Sequence, residues 1–453
     1  MDHTTEHIAT FATSLTYDDL PQRTVAAAKR LLIDTLGCAI GGYHSEPVKI
    51  SRRLASHMSG DPPARIFVSG QITSLEAATF ANTIMVRYLD YNDVYMSLEA
   101  AHPSDMIPAI LAIAEAYHLS GKQFLVATIA AYEVYAALSD SVSLWDKGWD
   151  HGLFIALGTA AGVGKLLGLT VSQMGEALSL AAVPNVPLRQ TRSGELSMWK
   201  GCATAASNRA AIYAVLLAKE GMTGPRSAFE GRHGIWEQVT GPFVLGPLGK
   251  DNQSFGVERI GIKYFPTEGH SQLPIWLLLN MRSKVRAQDV QSIHVTTYHF
   301  TYSEIGSEPQ KWDPTTRETA DHSLPYMMAA ALQDGSISVN TFKEDRIRDP
   351  ALRPLMNRIK IAESEQFTAQ YPEKMPCKIE VITNSGEHFV AHGDYPKGHA
   401  RNPMSDDEVV KKFMNLCCDS FPAHHCQKVA DTVNNLEAIE YVGTLVDAMC
   451  VEK

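Results

Sequence analysis

The seven cysteines of this 453-residue sequence are never spaced C-x-x-C. Cys38, Cys202, Cys377, Cys417, Cys418, Cys426 and Cys450 are odd in number and scattered. That usage excludes a zinc ribbon or an iron–sulfur ligand set, and points to reduced thiols without structural disulfides. Cys417, Cys418 and Cys426 near His424 and His425 come nearest to a metal site. Buried thiols on a helix beside an exposed loop are the simpler reading.

Long apolar runs are also missing. No window approaches 18 uninterrupted apolar residues, so no transmembrane helix is expected. Lys/Arg runs are absent, and 40 basic against 50 acidic residues leave a net charge of −10. Binding driven by a nucleic-acid backbone is thereby excluded. An anionic small-molecule ligand would need a local concentration of Lys, Arg and His. The opening Met1-Asp2-His3-Thr4-Thr5-Glu6 is polar and acidic, unlike a secretory or transit signal, so a cytoplasmic location is expected.

Cofactor signatures are lacking as well. There is no Walker A loop, no H-E-x-x-H and no G-x-S-x-G elbow. The glycines Gly158, Gly162 and Gly164 do not form G-x-G-x-x-G and lie inside a helical pattern. Neither a metal nor an organic cofactor is expected; the chemistry would fall to His, Asp, Lys and Tyr side chains.

What remains is a globular chain, 45% hydrophobic and 20% charged, long enough for two or three domains or one large helical body with an insertion. The first half reads as helix. Val25, Ala28, Leu31, Leu32 and Leu36 follow the 3.6 period, with Gly41-Gly42 as a stop. Residues 106–118 and 122–139 form a helical hairpin split at Ser120-Gly121. Residues 152–167 and 172–183, with Ser172 as N-cap, repeat it, and a further helix covers about 202–219.

Strand character enters near residue 257, in Val257–Phe265 and Gln291–His299. A hairpin follows, Cys377–Thr383 and Glu387–Ala391 around Asn384-Ser385-Gly386, with helices near 271–281 and 322–334. Ser405 then caps a return to helix. The expected fold is mainly α: an all-α domain over 1–267, an α+β lid over 268–398, and C-terminal helices over 399–453 that rejoin the first domain.

Four segments carry more ionisable groups than a helical core needs. The first is Arg87-Tyr88-Leu89-Asp90-Tyr91-Asn92-Asp93 with His102-Pro103-Ser104-Asp105, directly before an apolar helix. The free N–H groups of that helix suit an anion, although Ser104 and Asp105 acting merely as caps is an equally simple reading. Asp150-His151 opens another apolar helix, where a buried structural histidine is the alternative. Arg189-Gln190-Thr191-Arg192 and Ser197-Met198-Trp199-Lys200-Gly201 form the third. The fourth, Lys263 to Gln272, joins strand to helix at the inferred boundary, a common place for ligands.

Five ordered segments then carry a resemblance. They are Leu32-Ile33-Asp34-Thr35-Leu36-Gly37-Cys38; Tyr88 to Asp93 with His102-Pro103-Ser104-Asp105; Asp150-His151 with Trp199-Lys200-Gly201; Phe265 to Gln272; and Arg317 to Tyr326. Over nearly its whole length the chain resembles the MmgE/PrpD family, which includes 2-methylcitrate dehydratase, cis-aconitate decarboxylase and iminodisuccinate epimerase.

The resemblance implies a helical domain with an α+β lid, a homodimer, no cofactor, and a small di- or tricarboxylate substrate. Carried over position by position, it implies Asp90, His102, His151, Lys200, Lys263 and Tyr326 as catalytic residues. Arg87, Asp93, Ser104, Arg192, His270 and Gln272 are expected to bind substrate. His270-Ser271-Gln272 is closer to the dehydratase branch than to the decarboxylase branch. The implied activity is a lyase that dehydrates a 2-methylcitrate-like tricarboxylate to 2-methyl-cis-aconitate. Decarboxylation or epimerisation of a related polycarboxylate is the alternative within the family, and a non-catalytic helical scaffold is the remote one.

Overall fold

The computed structural model describes residues 1–249 and 254–450; the last three residues of the expected C-terminal segment lie outside them. Helices dominate, and small residues set how closely they pack. The helices Gly121–Ser141 and Gly152–Leu166 lie against each other, and Ala203–Lys219 packs on the latter. A Cβ at Gly158 would sit 3.0 Å from the Ala131 carbonyl oxygen, and one at Gly162 2.8 Å from that of Ala127. These glycines therefore serve backbone approach between helices.

The helix Gln22–Gly42 ends on the glycine pair expected to stop it. A Cβ at Gly42 would lie 2.2 Å from the Met85 carbonyl oxygen, so this glycine lets two helices cross. Thr170, in a capping box with Gln173, caps the helix Val171–Ala182 in place of Ser172. Ser405 caps Asp406–Cys417 as expected, pairing with Glu408.

Among the described residues six strands form two sheets. A two-stranded ribbon pairs β1 (Ala64–Ile66) with β2 (Gln71–Thr73). The larger sheet, ordered β4-β3-β5-β6, contains β3 (Val290–Thr297), β4 (Ile359–Glu363), β5 (Cys377–Thr383) and β6 (His388–Gly393). β3 runs parallel to β4 and antiparallel to β5. On β5 the residues Cys377, Ile379, Val381 and Thr383 are buried in strict alternation, so one face of the sheet is covered. The helices Gln272–Met281 and Leu324–Asp334 pack together, and the former lies on β5 and β6.

The expected strand at Val257–Phe265 is absent. That segment contains a short 3-10 turn, Gly256–Arg259, and then extended chain with a single β-bridge, Gly261 to Val94, beside an Ile262 N–H that donates to the Gly398 carbonyl. It has β-branched residues but no neighbouring strand to form a ladder.

The apolar side chains gather in two large cores. One takes residues from Ile8 to Ile262 and again from Met404 to Met449, so the C-terminal helices pack with the first half of the chain. The other takes Phe265 to Val381.

Candidate active site

The helix Leu75–Arg87, N-capped by Ser74, delivers Arg87 at its last turn. Three residues on, Asp90 adopts the left-handed conformation with φ of 51°, a placement that costs a non-glycine residue about 1–3 kcal/mol and persists where its surroundings hold it. They do so with charge. Asp90 Oδ1 accepts from Arg87 Nη1 at 2.7 Å and from the Lys263 ammonium, which also reaches the Asp90 carbonyl at 3.0 Å. Lys200 Nζ lies 3.2 Å from Asp90 Oδ2 and 2.5 Å from Asp321 Oδ1, and Arg317 lies 3.1 Å from Asp321 Oδ2. Four cations thus surround two carboxylates, and nearly all of this is buried. Burial alone would raise the Asp90 carboxyl, but Arg87, Lys263 and Lys200 hold it well below the usual carboxylate range.

Lys263 is itself held from behind. Lys412, on the C-terminal helix Asp406–Cys417, donates to the Tyr91 carbonyl at 2.6 Å and to the Lys263 carbonyl at 2.9 Å, and pairs with Asp34 at 2.6 Å. Asp34 belongs to the early Asp34-Thr35-Leu36-Gly37 segment, so that motif acts on the site through a lysine 378 positions away in sequence, a connection with no local signal.

His102 stands beside this cluster. Its Nδ1 donates to the Asp93 carbonyl at 2.6 Å, and because a carbonyl only accepts, the Nε2 lone pair is left free, 3.7 Å from Asp90 Oδ1. Burial, then the charges of Arg87 and Lys263, push its pKa well below the usual value, so the imidazole is neutral. The His102 and His151 rings lie edge to face, with centroids 6.2 Å apart. His151 Nε2 accepts from Arg192 Nη2 at 3.2 Å, while Arg192 Nε donates to Asp150 at 2.7 Å. Arg192 Nη1 is buried without a protein partner among the described residues. His322 donates through Nδ1 to Asp321 at 2.7 Å, and burial followed by the charge of Lys200 lowers its pKa to about 3.

These groups wall a narrow cavity. Of the expected residues, Arg87, Asp90, His102, His151, Arg192 and His270 line it. Lys200 and Lys263 stand directly behind Asp90. The other four lie elsewhere. Asp93 accepts from the Ser104 backbone N–H at 3.0 Å and hydroxyl at 2.6 Å, and from Tyr132 at 2.9 Å. The amide expected to meet a substrate anion at Ser104 is therefore taken by Asp93, whose carboxyl burial pushes up to about 7 against those bonds. Gln272 is a brace: its amide oxygen accepts from the Tyr264 and Phe265 N–H groups, and its nitrogen donates to Phe265 and Thr267.

Tyr326 is buried in the second core, 6.2 Å from the Phe342 ring, with its hydroxyl on the Thr341 carbonyl at 2.5 Å. It does not line the cavity. Tyr326→Phe should leave turnover within about twofold of wild type and lower stability by about 1 kcal/mol, the worth of one buried hydrogen bond. A loss of turnover above about tenfold with unchanged thermal stability would return the hydroxyl to the chemistry.

Four cavity-wall residues had no expected role: Glu304, outside every segment singled out in sequence, and Arg189, Glu268 and His322, which lie within those segments. Arg189 pairs with Glu304 across the two cores, and Trp145 donates to the same carboxylate. Glu304 is held below its usual range: burial opposes this, but Arg189 prevails. Val94, Met96, Ala100, Ala101 and Phe300 give the cavity an apolar side.

One group could offer metal ligands among the described residues: Asp90, Asp321 and His322, with ligand atoms within 4.8 Å of one another. The Lys200 ammonium lies within 3.3 Å of all three side chains. With Lys263, Arg87 and Arg317 it already compensates both carboxylates, so the donor set suits a buried lysine and not a divalent ion. No described helix is long and apolar enough to cross a membrane.

Known proteins resemble the chain over most of its length. The chain is 28% identical over 440 residues to the 2-methylcitrate dehydratase of Escherichia coli (strain K12), covering 88% of this chain and 87% of that protein. It is 26% identical over 456 residues to the mitochondrial 2-methylcitrate dehydratase of Yarrowia lipolytica, covering 92% and 86%. Against the cis-aconitate decarboxylase of Homo sapiens it is 24% identical over 461 residues, covering 96% and 92%. The MmgE/PrpD N-terminal domain matches residues 6–246 and the MmgE/PrpD C-terminal domain matches residues 265–438. The chain belongs to the MmgE/PrpD family.

Proposed function

We propose that the protein is a hydro-lyase that dehydrates a 2-methylcitrate-like tricarboxylate to 2-methyl-cis-aconitate, using side chains alone. The observation that carries this reading is the buried surplus of cations around Asp90 beside an imidazole with a free Nε2. A proton next to a carboxylate is very weakly acidic. Removing it leaves a dianionic aci-carboxylate, and preorganised cations in a water-poor site are the largest available source of stabilisation. Arg192 Nη1, which has no protein partner among the described residues, suits a substrate carboxylate. His102 Nε2 takes the methine proton, and Asp90 holds Lys200, Lys263 and Arg87 in place. Val94, Met96 and Phe300 suit the methyl group.

We further propose a division at about 267/268 and 398/399, in keeping with the two apolar cores, and a homodimer acting in the cytoplasm. The same basic cavity would serve decarboxylation of a related polycarboxylate, the reaction in the name of the human relative.

Incubation with 2-methylcitrate after extensive chelation separates these readings. The expected result is rising ultraviolet absorbance from a conjugated double bond, with no carbon dioxide. Carbon dioxide from cis-aconitate would mark a decarboxylase. Loss of turnover with EDTA, restored by a divalent ion, would overturn the side-chain mechanism.

A further inference from the structure

Dehydration also needs an acid, because hydroxide leaves poorly, and the site as described so far names only a base. We propose that Glu268 is the catalytic acid that donates a proton to the departing hydroxyl. This assignment rests on the dehydratase reading above.

Glu268 caps the short turn Gly269–Ser271, and its backbone N–H donates to the Asp321 carbonyl at 3.0 Å, which fixes it in the cavity wall. One carboxyl oxygen, Oε2, accepts from the His270 backbone N–H at 2.7 Å. The other, Oε1, lies 3.9 Å from the Nε2 of His270, a neutral imidazole whose pKa burial lowers to about 3, and no Lys or Arg pairs with it among the described residues.

Every other ionisable group in the wall is committed or neutral; His270 meets the Tyr298 hydroxyl through Nδ1, and burial lowers its pKa to about 3, so it has no acidic proton to give. Asp90 and Glu304 are bound to Arg87, Lys263 and Arg189, which keeps them ionised and acceptors only. His102 and His322 spend their N–H groups on the Asp93 carbonyl and on Asp321, presenting lone pairs. His151 Nε2 accepts from Arg192, and its Nδ1 is buried, 3.9 Å from Asp150. The arginines keep their protons at every working pH. Glu268 is the carboxyl in the wall without a cationic partner. Burial pushes it up to about 7, against the pull of Lys263, so a proton is available near neutrality.

The step balances. His102 Nε2 takes the proton α to the carboxylate, and the C–H electron pair becomes the new C=C bond. The C–O bond breaks, its electron pair leaves with oxygen, and Glu268 supplies the proton that makes the leaving group water. Glu268 ends as a carboxylate and His102 as an imidazolium, and proton exchange with solvent resets both.

The test pairs two substrates: 2-methylcitrate and its analogue with fluoride in place of the leaving hydroxyl. Fluoride departs as an anion without prior protonation. Glu268→Gln should lower turnover of the hydroxyl substrate by about 10²–10⁴-fold, the range for a lost proton donor, yet keep defluorination within about fivefold of wild type. His102→Asn should lose both reactions, since each needs the base. Equal losses on both substrates in Glu268→Gln would overturn the assignment, as would no loss on either. A wild-type protein that eliminates neither water nor fluoride would instead overturn the dehydratase reading, and the assignment with it.

Discussion

Replacing Asp90 with Asn should abolish turnover and lower stability by about 3–5 kcal/mol, the scale for breaking a buried ion pair by removing one partner. The shape is conserved, and Asn tolerates the left-handed backbone at φ of 51°, so the loss isolates the charge. Without the carboxylate, Arg87, Lys200 and Lys263 face one another, with Asp321 beside Lys200 and Asp105 3.8 Å from Arg87 as the remaining neighbouring carboxylates. The pH dependence has a definite sign. The folded Asp90 carboxyl is depressed below its unfolded value near 3.9, so its stabilisation is complete above about pH 4 and fades as pH falls through the folded pKa. Denaturation curves of wild type and variant should therefore differ most at neutral pH and converge in acid. Equal stability at pH 7 would contradict the hub role of Asp90.

Replacing His102 with Asn should leave the fold intact and lower turnover by about 10²–10⁴-fold. The side chain keeps a polar group near the Asp93 carbonyl but loses the lone pair that faces the cavity. In wild type the base must be neutral to act. Because burial, Arg87 and Lys263 depress its pKa, kcat/KM should show no fall as pH drops through about 6.5, where an ordinary histidine would already be protonated. An acid limb centred on 6.5, or a variant within about threefold of wild type, would remove His102 from proton transfer.

The chemistry of this site was more legible in sequence than its geometry. Asp90, His102, His151, Lys200 and Lys263 stand out because helix starts rich in small apolar residues have no packing use for charged side chains. Their convergence does not follow from local pattern, since Lys200 and Lys263 reach Asp90 from more than 100 positions away. Glu304 was illegible for the same reason: it sits on the short helix His299–Ile305 and gains meaning only by meeting Arg189. His322 carried a signal, a histidine beside Asp321 just before an apolar helix, of the same kind that marked Asp150-His151.

Tyr326 shows the opposite error. An aromatic residue in the first turn of Leu324–Asp334 meets the demands of the second core, and its hydroxyl finds a backbone carbonyl there. Secondary structure was read best where local signals and periodicity agreed, as at the Ser120-Gly121 break, where Ser120 caps the next helix, and at Ser405. It failed at Val257–Phe265, where strand-like residues have no partner strand. β4 escaped notice because it is short, charged and largely exposed, with little alternation to see.

A neutral imidazole held among buried cations should remove a proton next to a carboxylate and so drive loss of water. Proton NMR of wild-type protein with 2-methylcitrate, after exhaustive chelation, tests it most directly. The account predicts that the methine signal disappears as the methyl resonance moves to that of 2-methyl-cis-aconitate, and that His102→Asn slows this by at least about 10²-fold. An unchanged 2-methylcitrate spectrum with wild-type protein, or conversion that proceeds equally well without the His102 imidazole, would contradict it.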